Sequence, residues 1–125
     1  MKTNIDIQPL VEVVQKLRSP NGCPWDKVQT HESLRRYFIE ETYEVMDAID
    51  NKDMDNLREE LGDVLLQIVF HSSIAEENGA FTLQDVINDV TEKMIHRHPN
   101  VFPEENPDNK GKIYTWDELK VQEKG

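Results

Sequence analysis

The stretch LRRYFIEETYEVMDAIDNKDMDNLREELGDVLLQIVF, residues 34–70, decides the fold. Wound at about 100° per residue, Leu34, Phe38, Val45, Ala48 and Ile49 fall on one stripe of a helix that starts near Thr30 and ends near Ile49. Asn51 to Asp53 forms a turn, and Asp53 or Asp55 caps the next helix, which continues to about Glu77 and stops at Gly79. Its stripe is Leu57, Leu61, Val64, Ile68 and Ala75. From Val64 to Phe70 this helix is apolar nearly all round except at Gln67, the pattern of a helix buried on several sides.

Working outward, an earlier helix spans Ile7 to Leu17, with Asp6 as N-cap, Pro9 in its first turn and Leu10, Val13, Val14 and Leu17 as its stripe. Ser19 to Trp25 contains two prolines and a glycine and breaks it. Thr82 opens a fourth helix, with Asp85 at N3 and Leu83, Val86, Ile87, Val90 and Met94 on one stripe, and Pro99 ends it. Val101 to Lys112 reads as a loop, and Thr115-Trp-Asp-Glu118 has the spacing of a capping box that opens a last short helix. No strand-like alternation persists and no repeat is found. The expected architecture is all-α: a four-helix bundle with a short C-terminal helix, over a single domain of residues 1–125.

Composition bounds the function. The 125 residues carry 25 acidic against 14 basic side chains, a formal charge of −11. Nucleic acid or an anionic membrane would be repelled over such a surface, so neither is an expected partner. A phosphate substrate is tolerated only through metal ions or a local basic patch. The single cysteine, Cys23, allows no internal disulfide, and the start MKTNIDIQPL has no apolar signal core, so a cytoplasmic location is expected. A hydrophobic fraction of 37% in a short helical chain suggests that a second copy completes the core.

The chemistry lies in carboxylates on the apolar stripes. Glu41 falls near the middle of the second helix's stripe and Glu44 lies on its edge one turn further along. Glu60 sits at the margin of the third helix's stripe, and Asp63 is one turn beyond it. Most acidic runs are solvated faces, but solvation does not account for a glutamate among core residues, where a charge costs several kcal/mol unless a cation or proton compensates it. Two pairs at i and i+3 can converge from adjacent antiparallel helices. All-oxygen ligands suit Mg²⁺ or Mn²⁺. Gly62, costing about 1 kcal/mol relative to alanine inside a helix, is expected where another helix approaches closely. On the fourth helix Lys93 and Arg97 lie along the edge of the stripe; they either stabilise the helix C-terminus or clamp phosphates.

Glu40-Glu41-Thr-Tyr-Glu44 followed by Glu60-Leu-Gly-Asp63 resembles the EExxE…ExxD signature of MazG-type nucleotide pyrophosphohydrolases. Cys23-Pro-Trp-Asp26, Gln29-Thr-His31, Arg97-His-Pro-Asn-Val-Phe102 and Trp116 agree with it, so the likeness covers essentially the whole chain. It implies a four-helix unit that forms a homodimer or a higher homo-oligomer and binds Mg²⁺ and a nucleoside triphosphate. By the same resemblance Glu41, Glu44, Glu60 and Asp63 are the metal ligands, Lys93 and Arg97 contact the phosphates, and Trp116 lies near the nucleotide. The implied reaction is hydrolysis of a (d)NTP to a (d)NMP and pyrophosphate. A carboxylate outside the metal shell orients or deprotonates the water, with Glu40 and Glu59 as the candidates.

The flanking segments are most similar to the N-terminal half of two-domain MazG proteins, so the chain is either one such domain alone or a fragment of a longer chain. The two halves of such proteins need not be equally active. That leaves open an alternative, a catalytically weak or inactive nucleotide-binding domain for regulation or dimerisation. His71, His96 and His98 are read as packing or capping residues. Cys23, in a loop with no histidine–acid arrangement, is not read as a nucleophile.

Overall fold

Thr30 fixes where the longest buried helix pair begins. Its hydroxyl accepts from the Ser33 amide at 3.1 Å, while the Ser33 hydroxyl accepts from the Thr30 amide at 2.8 Å, a reciprocal capping box with serine at N3. In the computed structural model, which describes residues 4–124 and their side chains through residue 121, the helices are α1 (Gln8–Leu17), α2 (His31–Asp50), α3 (Met54–Glu77), α4 (Leu83–Arg97) and α5 (Trp116–Lys124). Residues 1–3 and 125 of the expected domain lie outside the described residues. A single 3-10 turn spans Asp26–Val28, and no strand occurs among the described residues. The protein is all-α, as its periodicity requires, and no described helix is long and apolar enough to cross a membrane.

Two helix ends share one device. After α3, Gly79 adopts φ 71°, and Ala80 N donates to Ala75 O at 2.9 Å while Gly79 N donates to Glu76 O at 3.0 Å. After α2 the same double bond forms from Asp53 N to Ala48 O and from Lys52 N to Ile49 O, both at 3.0 Å, with Lys52 at φ 54°. Asp53 then caps α3, accepting from Asn56 N at 3.1 Å. This three-residue reversal sets α2 and α3 antiparallel and side by side. The start of α1 differs by one residue from expectation: Ile7 is the N-cap, and Asp6 Oδ1 instead accepts from Gln8 N at 3.0 Å.

The chain folds as two compact units, Met1–Leu83 and Gln84–Gly125. In the first, Val14, Leu34, Val69, Phe70 and Ile74 form the core, with Leu10, Val11, Tyr37 and Leu66 packed against it. Six residues assigned to inward stripes face outward instead: Val13, Ile49 and Leu61, at 54%, 54% and 52% exposure, and Ile87, Val90 and Met94 on α4. The stripes otherwise hold, with Val14, Leu34, Ala48 and Ala75 buried; on α1 Val11 packs against the core where Val13 does not, and on α3 Glu60 is half-buried while Leu61 is exposed. Gly62 follows Leu61 onto that outer face, and a Cβ there would meet nothing within 4 Å. The close approach expected at Gly62 is therefore not made among the described residues.

Arg18 closes the loop after α1. Its side chain, 7% exposed, forms two bonds to Glu77 at 2.8 and 3.1 Å and donates to the carbonyls of Asp26 and Gln29 at 2.7 and 3.0 Å. In the second unit, Pro99 and Leu119 are buried. Asn106, also buried, donates to the carbonyls of Ile95 and Phe102 at 3.0 and 2.8 Å and pairs with His96 Nδ1 at 3.2 Å. The α5 capping box forms as expected, with Glu118 N donating to Thr115 Oγ1 at 3.1 Å.

Candidate functional site

The α2–α3 pairing carries the acidic residues to one place. Glu41, Glu60 and Asp63, all half-buried, present carboxylate oxygens that lie within 4.8 Å of one another. A charge held there is poorly hydrated and close to others of its own sign. Burial, and then the neighbouring Asp63, Glu44 and Glu40, push Glu41 above the ordinary carboxylate range. Glu60 is pushed the same way by its burial, then by Asp63, Glu44, Glu41 and Glu59. Such a cluster is electrostatically unfavourable by itself, and an all-oxygen donor set of this charge fits a hard divalent cation.

Glu44 is exposed and stands outside the converging three, though near enough to disfavour ionisation of both glutamates. Glu40 and Glu59 are exposed on the neighbouring positions of α2 and α3. Glu40 also makes a long contact with Arg36, 3.7 Å, along its own helix. Lys93, exposed, and Arg97, half-buried, lie on α4 in the second unit, and Trp116, 71% exposed, begins α5.

The α2–α3 seam carries two further features, the first of which gives His71 the packing role expected of it. His31, at the start of α2, and His71, on α3, stack with ring planes 3° apart and Nδ1 atoms 2.8 Å apart. One ring must donate and the other accept, so the two hold opposite tautomers. Burial and then His31 lower the pKa of His71. The two histidines stand 40 residues apart, and no local spacing announces them. The second feature is Gln67, whose Oε1 is buried with no hydrogen-bond partner. Its one signal in the sequence is that it is the polar residue in an otherwise apolar run.

The sequence pattern of the MazG nucleotide pyrophosphohydrolase domain matches residues 29–102. Among curated relatives, the nucleoside triphosphate pyrophosphohydrolase/pyrophosphatase MazG of Thermotoga maritima is 54% identical over 125 residues, which cover 99% of this chain and 48% of that protein. The nucleoside triphosphate pyrophosphohydrolase of Escherichia coli strain K12 is 43% identical over 120 residues, 94% of this chain and 46% of that one. The chain thus spans about half the length of these relatives. A crystal structure of a mazG-related protein from Thermotoga maritima superposes with a TM-score of 0.66 at 31% identity, covering 94% of this chain and 96% of that one.

Proposed function

This chain belongs to the MazG nucleotide pyrophosphohydrolase domain family, and from that premise we propose that it hydrolyses nucleoside triphosphates, ribo- or deoxyribo-, to the monophosphate and pyrophosphate in a Mg²⁺-dependent reaction. The observation that carries this reading is the convergence of Glu41, Glu60 and Asp63 from two helices on one point. Relatives that share the domain bear the name of that activity.

In this proposal Glu41, Glu60 and Asp63, with Glu44 beside them, hold Mg²⁺, or Mn²⁺ in its place. The ion supplies the countercharge that the substrate and the leaving pyrophosphate need near an acidic cluster. Lys93 and Arg97 bind phosphate oxygens, Arg97 through its planar fork and Lys93 as a compact charge, and Trp116 lies against the nucleotide. Glu40 or Glu59, exposed beside the converging three, orients the attacking water and takes its proton. Water oxygen bonds to the α-phosphorus, the bond from that phosphorus to the αβ-bridging oxygen breaks, and pyrophosphate departs with that oxygen. The enzyme acts in the cytoplasm.

The proposal includes a homodimer. Ile39, Tyr43 and Met46 form an exposed stripe on α2, beside a cavity of about 320 Å³ lined by Phe38 and Thr42 as well, and Leu61 and Leu65 are exposed on α3. Gly62, open on the same helix, lets a second backbone approach.

Pyrophosphate release from a panel of NTPs and dNTPs, with Mg²⁺ and with EDTA, tests the activity. Release that needs Mg²⁺ and is lost in Glu41→Ala is the expected result. Binding without release from any nucleotide would replace this reading with that of a regulatory domain.

A further inference from the structure

Trp25 stands half in water, 51% exposed, yet its backbone is fastened by a buried polar network. Gln29, itself buried, donates from Nε2 to the Trp25 carbonyl at 2.9 Å, and its Oε1 accepts from the Ser33 hydroxyl at 2.7 Å. The backbone carbonyl of Gln29, with that of Asp26, takes the Arg18 guanidinium. The indole meets Tyr37 edge to face, with ring centroids 5.8 Å apart and planes at 79°. Whichever ring supplies the edge, Tyr37 covers at most one face of the indole. The loop thus holds an aromatic face in a set place without burying it, and a surface ordered in advance loses little freedom when a ligand settles on it.

Tyr37 ties this face to the carboxylates. It stands four residues before Glu41 on α2, and residues at i and i+4 are neighbours on one side of a helix. The indole is therefore one aromatic contact and one helical turn from the converging three. We propose that Trp25 stacks on the base of the nucleotide whose phosphates gather at those carboxylates, as a specificity-determining residue. The proposal rests on the reading of this chain as a nucleoside triphosphate pyrophosphohydrolase. In such a substrate one ribose separates the reacting α-phosphate from the base, a span of the same order as one turn of helix, about 5.4 Å. Every base has a π-face, and stacking reads no hydrogen-bond pattern, so purines and pyrimidines are both accepted and the larger purine ring gains more.

The test is calorimetric binding of α,β-methylene-ATP and of inorganic tripolyphosphate, each with Mg²⁺, to the wild-type protein, Trp25→Ala and Trp25→Phe. Trp25→Ala should bind the nucleotide about tenfold more weakly, the scale of one lost base–aromatic stack, and should bind tripolyphosphate as wild type does. Trp25→Phe should recover most of the loss. An unchanged affinity for the nucleotide in Trp25→Ala overturns the proposal. So does an equal loss for both ligands, which would make Trp25 a packing or interface residue. If Trp25→Ala does not fold, or wild type takes up the nucleotide but no tripolyphosphate, the fluorescence of Trp116→Phe decides, since Trp25 is then the one tryptophan. Bound α,β-methylene-ATP should quench that emission; emission unchanged with nucleotide bound overturns the proposal. If wild type binds neither ligand, the pyrophosphohydrolase reading fails and this one with it.

Discussion

Glu41 is the side chain whose position costs the metal-free protein most clearly, and that cost is measurable apart from catalysis. Its folded pKa stands above the ordinary 4.5, as does that of Glu60. Each therefore favours the folded state most below pH 4.5 and loses that contribution as pH rises through the folded value. In EDTA at pH 7, Glu41→Gln should thus be more stable than wild type by urea unfolding. The difference should vanish toward pH 4, and Mg²⁺ should stabilise wild type but not the variant. Turnover should fall by roughly a thousandfold in Glu41→Ala, about 4 kcal/mol of lost transition-state stabilisation. His71 titrates with the opposite sign. Its folded pKa lies below 6.5, so the unfolded chain binds the extra proton and stability should fall as pH drops below about 6.5. His71→Phe should flatten that limb of the stability profile; a slope that survives the substitution would place its source elsewhere.

At the scale of the helices, the ends were legible because they are local. Thr30, Asp53, Gly79 and Thr115 each act on an amide or carbonyl within a few residues, and their types alone mark the boundaries. The inward faces were less so. Periodicity gives the width of an apolar stripe but not which edge a neighbouring helix covers, and Val13, Ile49 and Leu61 lie on the edges left bare. The acidic site does not depend on those edges, because Glu41, Glu60 and Asp63 are all half-buried. Long-range pairs such as Arg18–Glu77 and His31–His71 carry no local signal at all. Arg18→Met, which leaves Glu77 and two carbonyls without their donor, should cost about 2–3 kcal/mol. Lys52→Gly should do the reverse. It relieves a left-handed residue with a side chain at the α2 terminus, offset in part by glycine's entropy in the unfolded chain, for a gain of about 0.5–1 kcal/mol. Chemical denaturation of the metal-free protein measures both.

For the molecule as a whole, charge and apolar exposure pull against each other. Each copy carries −11, so two copies repel at long range, while Ile39, Tyr43, Met46, Leu61 and Leu65 leave apolar surface in water on the α2–α3 pair. Burial of that surface is insensitive to modest salt, whereas the repulsion is screened over about 10 Å at 0.1 M ionic strength. The proposed dimer should therefore tighten as NaCl rises from about 20 to 200 mM, opposite to an interface held by ion pairs. Sedimentation equilibrium should report a species of about 29 kDa, twice the 14.6 kDa chain, and Met46→Glu with Leu61→Glu should return it to the monomer mass while helical circular dichroism is retained. Mg²⁺ should act in the same direction as salt, and at lower concentration, because cations bound at the carboxylates remove charge from both copies. A dimer that weakens with salt, or one that forms equally well in the double variant, would move the interface away from this face.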